Sequence, residues 1–92
     1  MTAITNGSKK QIAWAEDIRA RWIASFDEII ADYSKMANGN QAALDKFAAI
    51  REIVISNLSA SADAKHYIDL EVSGYRPDYK QLMRDAIAQY QA

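Results

Sequence analysis

The chain has 92 residues, a net charge of −1, no cysteine, three glycines and one proline. That length implies one domain, residues 1–92, too small for a doubly wound sheet or for a barrel with its own active-site loops. The missing thiols exclude a disulfide framework, a cysteine nucleophile and a zinc-thiolate site, and the balanced charge gives no overall basic excess for duplex DNA.

Seventeen alanines against so few breakers lean the chain towards helix, and the breakers fall in three places only: Gly7, Gly39, and Gly74 with Pro77. Ser8-Lys9-Lys10-Gln11 has the S-x-x-Q form of a capping box. From there Ala15, Ile18, Trp22, Phe26, Ile29, Tyr33 and Met36 recur at steps of three or four, with Ile12, Ile23 and Ile30 widening the stripe. A helix over this stretch is a rod of ~43 Å, long for so short a chain. Asn38-Gly39-Asn40 ends it, with glycine in the left-handed conformation and Asn40 capping the next helix.

The second helix is expected from Gln41 to Leu58, with Leu44, Phe47, Ile50, Val54 and Leu58 as its stripe and Ala48 and Ile55 alongside. Ser59-Ala60-Ser61 marks a break, because serine competes for backbone hydrogen bonds. Ala62 to Leu70 reads as a short helix without a clean apolar face. A turn follows, and Pro77 suits the first position of a last helix whose stripe is Tyr79, Leu82, Met83, Ala86, Ile87 and Tyr90. The expected fold is all-α: a small antiparallel helical bundle of three to four helices, the first of them long.

Two arginines break the pattern. Arg51 falls within the apolar stripe of the second helix, and Arg19 lies on the flank of the first. A buried unpaired charge is costly, so each must find a carboxylate, reach outwards or face a ligand. One reading pairs them with acids such as Glu16, Asp69 or Glu71. The other makes them an anion or phosphate clamp. At the start of the first helix, Lys9, Lys10, Gln11 and Trp14, with Arg21 two turns further on, form a basic and aromatic strip suited to stacking a base or holding a carboxylate. The plainer account is a capped helix with Trp14 at the core's edge.

His66 is flanked by Asp63 and Asp69 at three residues either side, a spacing a metal could use, but no second cluster completes a site and no metal is expected. No Ser-His-Asp set, glycine-rich phosphate loop or H-E-x-x-H occurs, so neither enzyme chemistry nor a cofactor is expected. Tyr67, Tyr75, Tyr79 and Tyr90 suit either a contact surface or a core finished by amphipathic rings.

The run Gly7-Ser8-Lys9-Lys10-Gln11-Ile12-Ala13-Trp14-Ala15-Glu16-Asp17-Ile18-Arg19 resembles the G-[ST]-x-K-Q-x-x-W-A-x-x-I-R opening of a family of small bacterial and phage proteins of uncharacterised activity. Ala64-Lys65-His66-Tyr67-Ile68-Asp69 is similar to that family's second marker, although His66 stands where an aromatic is expected and Leu70 replaces a polar residue. The resemblance covers about a fifth of the chain. It implies a bacterial or phage setting, and a polar network of Lys10, Gln11, Trp14, Arg19 and Asp69 joining the first and third helices.

Together these readings favour a non-enzymatic interaction protein, of the accessory kind carried by phages or mobile elements, that binds a larger host or defence complex, inhibition of that complex being one form its action could take. Surface left over on the long first helix would be covered by a protein partner or a second copy. The alternative is a nucleic-acid or nucleotide-binding module using Lys9, Lys10, Trp14, Arg19 and Arg21. The polar start, Met1 to Gly7, and apolar runs of at most four residues lead to the expectation of a cytoplasmic protein without membrane attachment.

Overall fold

Every helix starts at a side-chain cap, and the caps set the outline of the bundle. In the computed structural model, which describes residues 1–92, α1 is Lys9–Met36, α2 is Gln41–Leu58, α3 is Ala64–Val72 and α4 is Tyr79–Gln91. The Ser8 hydroxyl accepts from the Gln11 N–H while Gln11 Oε1 accepts from the Ser8 N–H, completing the expected capping box. Asn40 caps α2 as anticipated.

Three boundaries differ from the sequence expectation, one of them the end of α3, which reaches Val72 rather than Leu70. α3 begins at Ala64 rather than Ala62, because Asp63 accepts from the Lys65 N–H and so caps the helix one residue before its start. α4 begins at Tyr79, because the Asp78 carboxylate accepts from the Gln81 N–H, which leaves Pro77 buried just outside the helix instead of in its first turn. Ser59 marks the α2 terminus as expected: it is fully buried, and its hydroxyl donates to the Ile55 carbonyl at 2.5 Å.

α1 packs against both α2 and α3, and α2 packs against α4. α1 and α2 run antiparallel, since Asp27 meets Arg51 and Tyr33 meets Phe47 on the paired helices. The core joins Ala15, Ile18, Trp22 and Phe26 of α1 to Ile50, Val54 and Leu58 of α2, and Tyr67 of α3 and Ala86 of α4 close it. The molecule measures 45 × 24 × 19 Å. Its long axis matches the ~42 Å rise of a 28-residue helix, so α1 is the spine.

The segment before α1 is part of the fold. Ile4 is buried in the core at 6% exposure. The N–H groups of Thr5 and Asn6 both donate to the Ala62 carbonyl, at 2.9 and 3.0 Å, and the Ala64 N–H donates back to Asn6 at 2.9 Å. That last bond satisfies a donor that the start of α3 would otherwise leave without a partner. Gly7 makes the crossing feasible, with φ of +137° and Ala64 so close that a Cβ on Gly7 would lie 2.9 Å from the Ala64 methyl.

The apolar stripe of α1 outruns its cover. The sequence pattern carries it to Met36, yet Tyr33 is 41% and Met36 77% exposed. Met36 is the last residue of α1, and Tyr33 has the Phe47 ring of α2 on one side only, so this end of the stripe stays open.

Candidate functional site

The residues singled out by the sequence do not gather into one site. Gln11 is committed to the capping box. Lys9 and Lys10 are exposed beside Trp14, which is 47% exposed. Arg19 turns the other way: it is 8% exposed, its Nη1 donates to the Thr2 carbonyl at 2.6 Å, and its guanidinium carbon lies 5.8 Å from the centre of the Tyr67 ring. It has no carboxylate within 4 Å, so the expected ion pair is replaced by a main-chain carbonyl and an aromatic face. Asp69 is exposed, and no hydrogen bond joins it to Lys10, Gln11, Trp14 or Arg19.

Arg21 is held by two acids, Asp17 one turn back at 3.4 Å and Glu71 on α3 at 3.2 Å. The outward basic strip is thereby reduced to the two lysines and Trp14. His66 is exposed with its ring edge-on to Tyr67, Asp63 is the α3 cap, and no three His, Asp or Glu side chains are gathered as a metal would require. The tyrosines divide: Tyr67 is fully buried and Tyr79 half-buried, whereas Tyr75 and Tyr90 are 42% and 47% exposed.

Arg51 does form a carboxylate pair, but with an acid absent from the sequence expectation. Its Nε and Nη2 meet the two oxygens of Asp27 on α1 at 2.5 and 3.1 Å, and Nη1 reaches Glu52 at 3.2 Å. This fork-to-fork geometry is the strong form of an ion pair. The hydrogen bond from Arg51 holds the Asp27 carboxyl below its ordinary value against an opposing effect of burial, and the same bond raises the Arg51 guanidinium. Both hydrogen-bonding edges are therefore satisfied within the bundle.

The feature with the most room for a ligand is a groove of about 780 Å³ where α1, α2 and α4 diverge. Ile29 and Tyr33 of α1, Phe47 and Ile50 of α2, and Met83 and Ile87 of α4 line its floor. Tyr33 and Phe47 stand ring to ring at 6.0 Å. Its charged residues are Lys46, Lys80 and Arg84, without a single acid. None of these three cations has a carboxylate within 4 Å, in contrast to Arg21 and Arg51. A second cleft, of about 350 Å³, lies beneath the α3–α4 turn between Arg21, Glu71, Tyr75 and Arg76, and Glu71 offsets part of its positive charge.

Sequence reasoning assigned the floor of the groove to the core, because a stripe gives the face of a helix and not the length of its cover. It passed over Lys46, Lys80 and Arg84. The available signal was the first helix, whose stripe continues beyond any plausible cover by shorter helices. No helix is long and apolar enough to cross a membrane. No protein-family model, no curated protein and no solved structure matches the chain.

Proposed function

We infer that the protein is a non-enzymatic helical interaction module that binds a larger protein through the groove between α1, α2 and α4. The observation that carries this reading is the apolar floor around Tyr33, Phe47 and Met83, open to solvent. The groove holds no carboxylate, histidine or thiol to act as acid, base or nucleophile, which favours binding over catalysis. The N-terminal motif supports a bacterial or phage setting. In that setting the module acts as an accessory protein of a phage or mobile element, in the cytoplasm, restraining a host or defence complex.

The test is affinity capture from the native host with the wild-type chain and with Tyr33→Glu, read by mass spectrometry. Tyr33 is exposed, and thermal unfolding checks that the variant keeps the fold. A protein retained by the wild type and lost by Tyr33→Glu is the expected result. Equal capture by both removes the groove from the reading. The nucleic-acid alternative keeps only Lys9, Lys10 and Trp14 as free groups, since Arg19 and Arg21 are engaged within the bundle. Unchanged mobility of labelled DNA and RNA at low salt would remove it.

A further inference from the structure

We propose that the groove receives an acidic amphipathic helix of the partner, with apolar side chains on the floor and carboxylates against Lys46, Lys80 and Arg84; this rests on the interaction reading above. The charge argument is local. The chain as a whole is slightly acidic, yet all three charged residues at the groove are basic and none has a carboxylate within 4 Å. The bundle's other well-placed cations, Arg21 and Arg51, have carboxylates of the chain itself. An acidic ligand at the groove would therefore gain attraction without first displacing an internal partner.

The fold also selects the form of the ligand. The groove's walls are helices whose main-chain groups are hydrogen-bonded along their own axes, so no strand edge is present for an extended peptide to join. Recognition must go through side chains, as when a helix lays its apolar face in a groove. Along α2 the lining runs from Ala43 to Ile50 and along α4 from Tyr79 to Ile87, each about 12 Å, the length of two helical turns. Two turns present anchors at i, i+4 and i+7. Lys80 and Arg84 lie one turn apart on α4 and match carboxylates spaced one turn apart on the incoming helix. A second copy fits less well. The chain's own amphipathic helices are already packed into its bundle, and its α4 carries the same two cations that would have to face the rim.

The experiment uses the full chain and a fluorescent peptide of about four turns, with leucine and phenylalanine at helical spacing flanked by glutamates, against a twin with lysines in their place. Fluorescence anisotropy gives the affinities. The acidic peptide should bind about tenfold or more tighter than its twin, and weaken as salt rises from roughly 50 to 200 mM. K80E with R84E should remove that preference, whereas K10E with K65E, the same charge change elsewhere on the surface, should keep it. Equal affinity for the two peptides, tighter binding of the lysine twin, or binding of neither overturns the proposal. So does a dimer in sedimentation that Tyr33→Glu dissociates, or uptake of sodium dodecanoate without uptake of the acidic peptide, since these give the groove to a second copy or an amphiphile. If the acidic peptide fails while host capture still depends on Tyr33, the interaction reading stands and this ligand is withdrawn.

Discussion

Arg19 ties α1 to the N-terminal tail through the main-chain carbonyl of Thr2, at 2.6 Å, with the Tyr67 ring beside its guanidinium. Sequence reasoning placed this arginine either in an ion pair or in a ligand clamp. It is instead a clasp on the tail that carries Ile4 into the core. Arg19→Met keeps the length of the side chain and removes its donors and charge. It should lower stability by about 1–3 kcal/mol in urea titrations. The amides of Thr5 and Asn6 should also lose protection in hydrogen exchange before the helices do. An unchanged midpoint with unchanged protection would show that Ile4 and the backbone bonds to Ala62 and Ala64 hold the tail without Arg19.

Gly7 and Gly39 provide a comparison with a built-in control. Both have positive φ, +137° and +80°, so a side chain is strained at either. A Cβ at Gly39 meets nothing within 4 Å, whereas one at Gly7 lies 2.9 Å from the Ala64 Cβ, on a residue that is fully buried. Gly39→Ala should cost about 1 kcal/mol from backbone strain. Gly7→Ala should cost more, about 2–4 kcal/mol, because the tail must also lift away from α3. Thermal unfolding of the two variants under one buffer decides it, and equal losses would mean that the tail can shift without penalty.

The helices could be read from the sequence because capping and periodicity are local. Ser8, Asn40 and the stripe from Ala15 to Phe26 need no knowledge of the rest of the chain. What could not be read depends on contacts between distant segments. The tail's bonds to Ala62, the choice of Asp27 by Arg51 and the turning of Arg19 towards Thr2 each span many residues and leave no periodic trace. The groove escaped for a related reason. Tyr33 and Phe47 fall on the same stripes as buried residues, and the stripe alone does not say that they stay partly open.

The Asp27–Arg51 pair joins α1 to α2, with the two side chains 41% and 35% exposed. Solvent at that exposure screens it, so its coupling in a double-mutant cycle of D27N and R51M should be about 1 kcal/mol despite the two-pronged geometry. Its pH dependence has a definite sign. The Asp27 carboxyl is held below its ordinary value of 3.8 when folded, so it favours folding at every pH above that value. The contribution fades as pH falls through 3.8 and is gone once pH is below the depressed native value. Acid titration of stability should therefore be shallower in D27N than in the wild type. Parallel acid limbs would assign the dependence to other carboxylates.

Tyr79 contributes to the pH dependence on the alkaline side. Its ring stacks on Phe26 at 6.1 Å, and its hydroxyl donates to the Trp22 carbonyl at 3.2 Å, so it fixes the start of α4 on α1. Burial pushes its phenol above the ordinary 10.0, with a smaller opposing effect from the Ser25 hydroxyl. A native phenol that resists ionisation favours folding fully below 10.0, and this contribution is lost as pH rises through the raised native value. Tyr79→Phe keeps the ring and removes the hydroxyl. It should cost about 1 kcal/mol at neutral pH through the lost hydrogen bond and leave the variant less sensitive to alkali. Because Tyr79 also lines the groove, the two effects separate stability from binding. If Tyr79→Phe flattens the alkaline limb yet binds the acidic peptide as the wild type does, the hydroxyl serves the fold and the ring serves the groove.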